Sequence, residues 1–392
     1  MKAKHWLYLF PMLLLLLALA GCQSEPTLEE RGYTVKVTYD YNGGTADSES
    51  RRVLYYKPGQ PLLAPGDSVE FKEPTLDRFH SLDGWYLALT DAEGELLRGE
   101  DGSILTADTP FVWEDALATQ SCTLVARWRE KPAVELVVPG QQNILYPVDE
   151  GTRVTENMLG AALPDLPDQT FFDYFTDPEC TQRAEFPLQM QQGQRVTLYT
   201  RWLEGDVLVV REPSDLNSIV LYTGKTVYLD ADLDFGGAAL PRIQSFGGQF
   251  LGNGHTLRNF SQTVSLTGRN ASYGLFGELT DGAVIRDVTF EDGQIAVEAS
   301  YSTQSLFHIG FLAGSVRGSV TLEGVAFDGC TLSLSLPTGA VNAGATGQPY
   351  EGILAGVAPD ATVTYRGEGS VELTAPAPAA TQSTQKGNKD PQ

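Results

Sequence analysis

The sequence is poor in basic residues, in cysteine and in long apolar runs. Its 392 residues contain 27 Lys and Arg against 50 Asp and Glu, for a net charge of −23. Affinity for nucleic acid comes largely from cations that neutralise phosphates, so this balance argues against nucleic acid as a partner. Four cysteines are too few for a disulfide-rich scaffold. The length and the 42% apolar fraction suit about two to four domains with real cores.

One apolar run stands out, at the start of the chain. Residues Trp6–Ala20 follow two lysines and are shorter than the ~20 apolar residues that a membrane-spanning helix needs. The run closes with Leu-Ala-Gly-Cys at Leu19–Cys22, which resembles the bacterial lipobox, where the cysteine thiol is diacylated and the peptide is cut just before it. We predict a signal peptide over 1–21 and lipidation of Cys22, with a simple secretory peptide as the alternative.

The three remaining cysteines cannot all pair with one another, because their number is odd. Cys122 precedes the apolar run Thr123–Ala126, and Cys330 precedes Thr331 and Leu332. No CxxC spacing occurs, so a metal site is not favoured over free or buried thiols. We predict that Cys122 and Cys330 are small, buried strand residues.

Short sequence pieces recur in the first half of the chain. Apolar and polar residues alternate from Tyr33 to Tyr39 with the period of a β-strand. The piece Thr-Leu-Val-Ala-Arg-Trp at Thr123–Trp128 returns as Thr-Leu-Tyr-Thr-Arg-Trp at Thr197–Trp202. These echoes predict two copies of one β-unit, over 33–130 and 133–203.

The first copy combines a strand, Tyr-Asp-Tyr-Asn-Gly-Gly, Pro-Gly-Gln-Pro-Leu, Gly-Trp-Tyr and Thr-Leu-Val-Ala-Arg-Trp, in that order. This order resembles the internalin-type B-repeat (the Listeria–Bacteroides repeat), which implies a small β-grasp-like module of a bacterial surface protein. An acidic insertion around Asp91–Asp108 departs from the repeat, and the second copy is degenerate. We predict that Trp85, Tyr86, Trp113 and Trp128 are core aromatics; an exposed platform for sugars is the alternative.

A second repeat follows residue 206, with an offset of 37 positions. The equivalent pairs are Leu275 and Leu312, Gly277 and Gly314, Ile285 and Leu322, Val288 and Val325, Phe290 and Phe327, and Ile295 and Leu332. Self-similarity at such a period indicates a solenoid whose coils stack their apolar faces. The segment 206–374 resembles the GLUG-type right-handed parallel β-helix of bacterial surface proteins. Within it, Gly252-Asn253-Gly254 predicts a tight turn between strands.

The predicted fold is therefore all-β dominated, with two small β-grasp-like repeat modules followed by a short right-handed parallel β-helix. The predicted segments are a signal peptide at 1–21, an acidic tether at 22–32, module 1 at 33–130, a degenerate module 2 at 133–203, the β-helix at 206–374 and a disordered tail at 375–392.

Residues that carry chemistry are scarce. Neither Gly-x-Ser-x-Gly nor His-Glu-x-x-His occurs, and the histidines beyond the signal are scattered among different segments. We predict no catalytic residue and no cofactor. Asp230, Asp232 and Asp234 would share one face of a strand and are a calcium candidate, since carboxylate oxygens suit that ion. A solvent-facing strand edge is the alternative.

Three non-repeating stretches, 261–273, 298–308 and 337–351, each precede the start of a coil. Insertions at one phase of a solenoid emerge on one side, and that side is often the binding face. We expect their replacement by Gly/Ser turns to leave the fold intact; tolerated surface loops are the alternative. The candidate ligand-binding residues are Tyr273, Tyr301, Phe307, His308, Asn342 and Tyr350.

Together these patterns predict a lipid-anchored protein outside the cytoplasm, on the cell membrane or outer envelope. Its expected function is non-catalytic binding or adhesion to an envelope, glycan or host ligand, with the membrane as a partner through the lipid on Cys22. The alternatives are a carbohydrate-active β-helix enzyme and a purely structural envelope spacer.

Overall fold

The computed structural model describes residues 26–300, 305–342 and 348–374. Strands make up 48% of the structure and helices 4%, which confirms an all-β-dominated fold. The predicted signal peptide, Cys22, Tyr301 and the tail lie outside the described residues. Contacts divide the chain into two units. One holds the described residues up to 163 together with 175–199, and the other holds 164–174 together with the described residues from 200 onward.

Two four-stranded sheets share one strand order. The strands of the first sheet are β1 (Val35–Asp40), β2 (Arg51–Tyr56), β3 (His80–Leu87) and β4 (Cys122–Glu130). Those of the second are β5 (Ala133–Val137), β6 (Ile144–Pro147), β8 (Gln169–Phe175) and β10 (Arg195–Glu204). The orders are β2-β1-β4-β3 and β6-β5-β10-β8. In both, the first strand pairs antiparallel with the second and parallel with the last. This equivalence matches the sequence echoes between the two segments.

Smaller elements lie between the strands of the second sheet. The short strands β7 (Arg153–Val154) and β9 (Leu188–Gln189) pair antiparallel. A one-turn helix, α1 (Glu156–Gly160), follows β7 and buries Leu159.

The first sheet is built around Tyr39. Its side chain is fully buried, and its hydroxyl lies 3.0 Å from that of Tyr56 and donates to the carbonyl oxygen of Leu63 at 2.9 Å. Burial raises the pKa of Tyr39 well above its ordinary value. The Tyr39 ring packs edge-on against Phe71 and Trp85, with centroid distances of 4.7 Å and 5.8 Å. Alternating apolar residues of β1 therefore point into one core, as the period-two pattern predicts.

The predicted core aromatics of this module occupy two depths. Trp85 and Tyr86 are buried, whereas Trp113 and Trp128 are half-buried and pack against the same core. The Trp128 ring also covers Gly44, where any Cβ would collide with it. The prediction of core aromatics is confirmed for Trp85, and Trp113 and Trp128 pack against the same core while partly exposed. Tyr86 is buried outside that cluster, with the Arg127 guanidinium 4.0 Å from the centre of its ring.

Parallel sheets account for most of the second unit. The largest contains β11 (Val207–Val210), β12 (Thr226–Leu229), β13 (Leu233–Asp234), β15 (Gln249–Arg258), β19 (Val284–Glu291), β23 (Ser319–Asp328) and β26 (Thr362–Gly369). A second contains β14 (Ile243–Phe246), β18 (Phe276–Leu279) and β22 (Ala313–Val316). A third contains β16 (Ser261–Leu266), β20 (Gln294–Ala299), β24 (Thr331–Ser335) and β27 (Glu372–Thr374). A fourth contains β17 (Ser272–Tyr273), β21 (Leu306–Ile309) and β25 (Val341–Asn342).

The chain visits these four sheets in a repeating order. Each strand pairs in parallel with the equivalent strand of the next pass, and the register puts Ile285 opposite Leu322 and Phe290 opposite Phe327. The 37-residue offset of the sequence is thus the register of the strands. Inward side chains of successive passes form one apolar core, which the 3₁₀ helix η1 (Pro213–Leu221) joins through Leu216 and Ile219.

Each traverse of the chain through the four sheets, which we call a pass, bends where a residue adopts the left-handed backbone conformation. Asn259, Asp292 and Gly329 hold equivalent positions between the first and third sheets, with φ of 57°, 49° and 59°. A Cβ at Gly329 would require the end of the Asp292 side chain to move, and the left-handed conformation is one that glycine and, less readily, asparagine and aspartate adopt. The predicted turn at Gly252-Asn253-Gly254 is wrong in one respect. These residues form a bulge inside β15, because the register shifts between Leu251 and His255 while the strand continues.

The cysteines differ in exposure. Cys330 is buried just before β24, and its thiol donates to the carbonyl oxygen of Phe290 at 3.3 Å. Burial raises the pKa of this thiol to about 11. Cys122 begins β4 and is half-buried, whereas Cys330 is buried but lies between β23 and β24. The prediction of buried strand residues is therefore confirmed only in part for each cysteine.

Candidate functional site

The three stretches predicted as binding loops contain β17, most of β21, and β25. The first also contains all of β16, and the second begins with the end of β20, so these parts belong to the third sheet rather than to loops. Ser272 pairs in parallel with His308, and Phe307 pairs with Asn342. The stretches are therefore partly ordered into a sheet of their own, which ties them to the core.

Two of the predicted binding aromatics are core residues. Tyr273 is 1% exposed and Phe307 is fully buried. Burial raises the pKa of Tyr273 to about 12, and its hydroxyl is hydrogen-bonded to the amide of Gln262. Neither ring is available to a ligand, and Gly/Ser replacement of these stretches would remove core side chains. The expectation that such a replacement leaves the fold intact is therefore corrected.

The other predicted residues are mostly used by the fold. The Asn342 amide bonds the main chain of Ile309 in both directions, accepting from its N–H at 2.9 Å and donating to its oxygen at 3.0 Å. Tyr350 is half-buried and packs edge-on against Tyr365 with a centroid distance of 6.3 Å. His308 is partly exposed, but its Nδ1 is buried and has no hydrogen-bond partner among the described residues. Of the candidate residues that the structure describes, Tyr273 and Phe307 are buried, and His308, Asn342 and Tyr350 are partly buried.

The three aspartates predicted as a calcium site each bind a different group of the protein. Asp230 pairs with Arg211 at 2.9 Å, and Asp232 accepts from the main-chain N–H of Thr256 at 3.0 Å, a bond that lowers the pKa of Asp232. Asp234 accepts from Asn259 and Arg258, and the Asn259 amide is the main cause of its lowered pKa. No group of three His, Cys, Asp or Glu side chains within the described ranges could hold a metal ion.

A different surface, on the largest parallel sheet, brings polar side chains into register. The first row contains Arg286, Glu323 and Arg366. The second row contains Thr256, Thr289, Ala326 and Glu368. The third row contains Asp234, Arg258, Glu291 and Asp328. These side chains are exposed or half-buried, while the alternate residues of the same strands point into the core. We call these three rows the outer face.

The outer face has a notch between its first and second rows. Asn253, Asp287 and Gly324 adopt left-handed conformations there, with φ of 54°, 54° and 62°. At its end lies an open depression of about 490 Å³, which Arg366 and Glu368 flank and the main chain of Gly324 to Ala326 helps to line. The notch exposes main-chain groups beside charged side chains.

The charges of the first row alternate in sign along the stack. The Arg366 guanidinium lies 3.3 Å from the Glu323 carboxylate, and both side chains are at least half exposed. Exposed ion pairs contribute about 0–1 kcal/mol, so a ligand can replace this contact at little cost. This row could have been found in the sequence, because Arg286 and Glu323 also lie 37 positions apart. A comparison of apolar residues alone does not include them.

The chain matches no protein-family model, no curated protein and no solved structure. In the part of the chain that the structure describes, no helix has the length and hydropathy to cross a bilayer.

Proposed function

We propose that this protein is a lipid-anchored bacterial surface protein that binds an extended, hydroxyl-rich polymer, a glycan, on the outer face. The observation that carries the proposal is the alignment of three exposed polar rows on one hydrogen-bonded sheet. Binding is non-catalytic and non-covalent. The anchor rests on the apolar run that ends at Cys22.

The architecture that suits this function is a right-handed parallel β-helix preceded by two B-repeat-like modules. Support for the β-helix comes from the repeated order of the four parallel sheets and from their common core. Support for the modules comes from the shared strand order of the two four-stranded sheets.

The spacing of the rows explains why an extended ligand is favoured. Neighbouring strands in a sheet lie about 4.8 Å apart, so the first and third rows present a charged group at that interval, and the second row presents polar groups except at Ala326. Carboxylates accept hydrogen bonds from hydroxyl groups and guanidinium groups donate to them, and the two kinds alternate at Arg286, Glu323 and Arg366. β15, β19 and β23 have a hydrogen-bonded neighbour on each side and β26 has one, so little ordering of the protein accompanies binding.

A glycan array tests this proposal. The chain from Cys22 onward, made without the lipid, is screened against neutral and charged polysaccharides, and the positive ligands are titrated against variants. Arg366→Ala and Glu323→Ala should each weaken binding about tenfold, because each removes a ligand contact. Arg317→Ala is the matched control. Like Arg366, Arg317 is mostly exposed, at 73%, and forms an ion pair with a glutamate, Glu278, but it lies outside the three rows.

Equal losses in Arg317→Ala and Arg366→Ala would contradict a site on the outer face. The absence of any polysaccharide ligand would favour the structural spacer, and turnover of a polysaccharide would favour the enzyme. The anchor is tested separately by mass spectrometry of the membrane fraction. Retention of Cys22→Ser in that fraction, or an unmodified N-terminus, would show that the lipid prediction is wrong.

A further inference from the structure

The acidic insertion of the first module folds as a triangle of three short segments. Isolated antiparallel bridges join Ala88 to Thr106, Thr90 to Leu96, and Arg98 to Ile104, so each segment contacts the other two. The central residues bond in a closed cycle: the N–H groups of Leu89, Leu97 and Leu105 donate to the oxygens of Leu105, Leu89 and Leu97, at 2.8, 2.9 and 2.9 Å.

The cycle brings together three leucines that recur every eight positions in the sequence. Leu89, Leu97 and Leu105 are 41%, 38% and 41% exposed, which is close to equal. Residues adjacent to them point the other way, since side chains alternate along extended backbone. On that other side Ala88, Leu96 and Ile104 are buried or half-buried. Ala88, Leu96 and Ile104 are thus less exposed than Leu89, Leu97 and Leu105, which we call the leucine triangle.

The insertion that contains the leucine triangle is rich in carboxylates, which we call the rim. Residues 89–108 contain six acidic residues and one basic residue. The acidic residues, all exposed, are Asp91, Glu93, Glu95, Glu100, Asp101 and Asp108. The basic residue is Arg98, whose guanidinium donates to the main-chain oxygen of Gly102 at 2.8 Å. The rim therefore has a strong negative charge.

We propose that the leucine triangle is a docking surface for a basic peptide segment that presents an apolar side chain. Contiguous exposed apolar side chains with a polar rim are typical of interaction sites, whereas singly scattered ones are not. The apolar side chain would rest on Leu89, Leu97 and Leu105, and lysine or arginine side chains would pair with the rim carboxylates.

Charge selects this occupant over two others. A second copy of the chain would bring an identical negative rim against the first, which like-charge repulsion disfavours. An anionic bilayer is repelled for the same reason. A basic peptide is attracted to the rim and also covers the exposed leucines. The surface lies in the first module, so this inference is independent of glycan binding on the outer face.

Fluorescence anisotropy with defined peptides tests the docking surface. The probe is a short labelled peptide of alternating lysine and leucine, added to the chain from Cys22 onward made without the lipid. Two control peptides replace either leucine by serine or lysine by glutamate. We expect only the lysine–leucine peptide to bind, with an affinity that falls as salt rises. Leu97→Ser should raise its Kd about tenfold.

Val69→Ser is the matched protein control, because Val69 is a more exposed apolar residue, at 87%, in the same module and outside the triangle. Its Kd should equal that of the unmodified chain. If Leu97→Ser fails to fold, the variant Glu93→Gln, Glu95→Gln, Glu100→Gln keeps the leucines and should weaken binding and flatten its salt dependence.

Several outcomes would overturn the proposal. Equal binding of the serine peptide would show that charge alone attracts the probe, and equal weakening by Val69→Ser would show that the triangle has no special role. A dimer seen by analytical ultracentrifugation and lost in Leu97→Ser would make a second copy the occupant. Triangle-dependent binding to anionic phosphatidylglycerol vesicles would make a membrane the occupant.

Discussion

Phe290 and Phe327 stack face to face, with ring centroids 5.4 Å apart and planes 11° apart. They are 37 positions apart in the chain and directly opposite in the register of β19 and β23. Both rings are buried, and Phe311 packs edge-on against each of them. The sequence repeat is therefore present in the core as a column of aromatic rings.

Truncation of this column should be costly. Phe327→Ala removes a buried ring and leaves a cavity against Phe290, so we expect a loss of about 3–5 kcal/mol in the free energy of unfolding. Urea denaturation measures the loss. Thr289→Ala, on the outward side of β19, is the control and should change stability by less than about 1 kcal/mol. Equal effects of the two changes would contradict the core position of Phe327.

Trp128 should stabilise the first module. Its Nε1 donates to the main-chain oxygens of Tyr41 and Asn42, both at 3.1 Å, and its ring packs over Gly44. Trp128→Ala should cost about 3 kcal/mol, at the low end for tryptophan because the ring is half-buried. Differential scanning calorimetry would show a lower Tm. A variant of unchanged Tm that loses only glycan binding would favour the aromatic platform instead.

The buried thiol of Cys330 makes stability depend on pH in the alkaline range. Burial raises the pKa of this group from its ordinary 9.0 to about 11, because the thiolate is poorly solvated in the core. The unfolded chain therefore loses this proton first. This stabilising contribution of Cys330 is complete below pH 9 and is lost as the pH rises through 11, by about 3 kcal/mol in total.

Denaturation of the unmodified chain and of Cys330→Ala at several pH values isolates this contribution. The difference in the free energy of unfolding between the unmodified chain and Cys330→Ala should change between pH 9 and pH 11 and be constant below pH 9. In the folded protein, iodoacetamide should label Cys330 slowly at neutral pH and rapidly in urea. Fast labelling of the folded protein would show that Cys330 is accessible.

Asp234 should stabilise the second unit without calcium. It accepts hydrogen bonds from Gly236, Arg258 and Asn259 at 3.0–3.1 Å, and these bonds lower its pKa. Asp234→Ala should therefore lower the Tm. A lowered carboxyl pKa stabilises the fold above the ordinary value of 3.8, so the difference from the unmodified chain should shrink as pH falls below it.

Thermal scans with calcium or with a chelator provide the comparison for Asp234. We expect the same Tm in both for the unmodified chain. A Tm that calcium raises in the unmodified chain, but not in Asp234→Ala, would restore the three aspartates as a calcium site.

The spacing of apolar residues and the repeated sequence pieces predict much of the fold. The alternation from Tyr33 to Tyr39 and the apolar matches at an offset of 37 predict strands and their register, because a strand has period two and stacked coils must bury equivalent residues. The pieces shared by Thr123–Trp128 and Thr197–Trp202 likewise mark β4 and β10, which take the same place in their two sheets.

The candidate site was less accessible to such patterns. Tyr273 and Phe307 lie in stretches that do not repeat, and only three-dimensional packing shows that their rings point into the core. The outer face depends on which strand residues point outward, and the bulge at Asn253 changes that phase within β15. From Leu251 to His255, β15 advances four residues while β19 advances two, so a count of the strand period across this stretch fails.

The amino-acid sequence by itself determined the all-β class, the strand period, the 37-residue register and the scarcity of cations, because each follows from local chemistry or from self-similarity along the chain. Only the tertiary structure decided which polar side chains stand together on the outer face and that Leu89, Leu97 and Leu105 meet in a closed cycle of hydrogen bonds. Those relationships join residues of different segments, and their positions depend on how many residues each intervening turn contains.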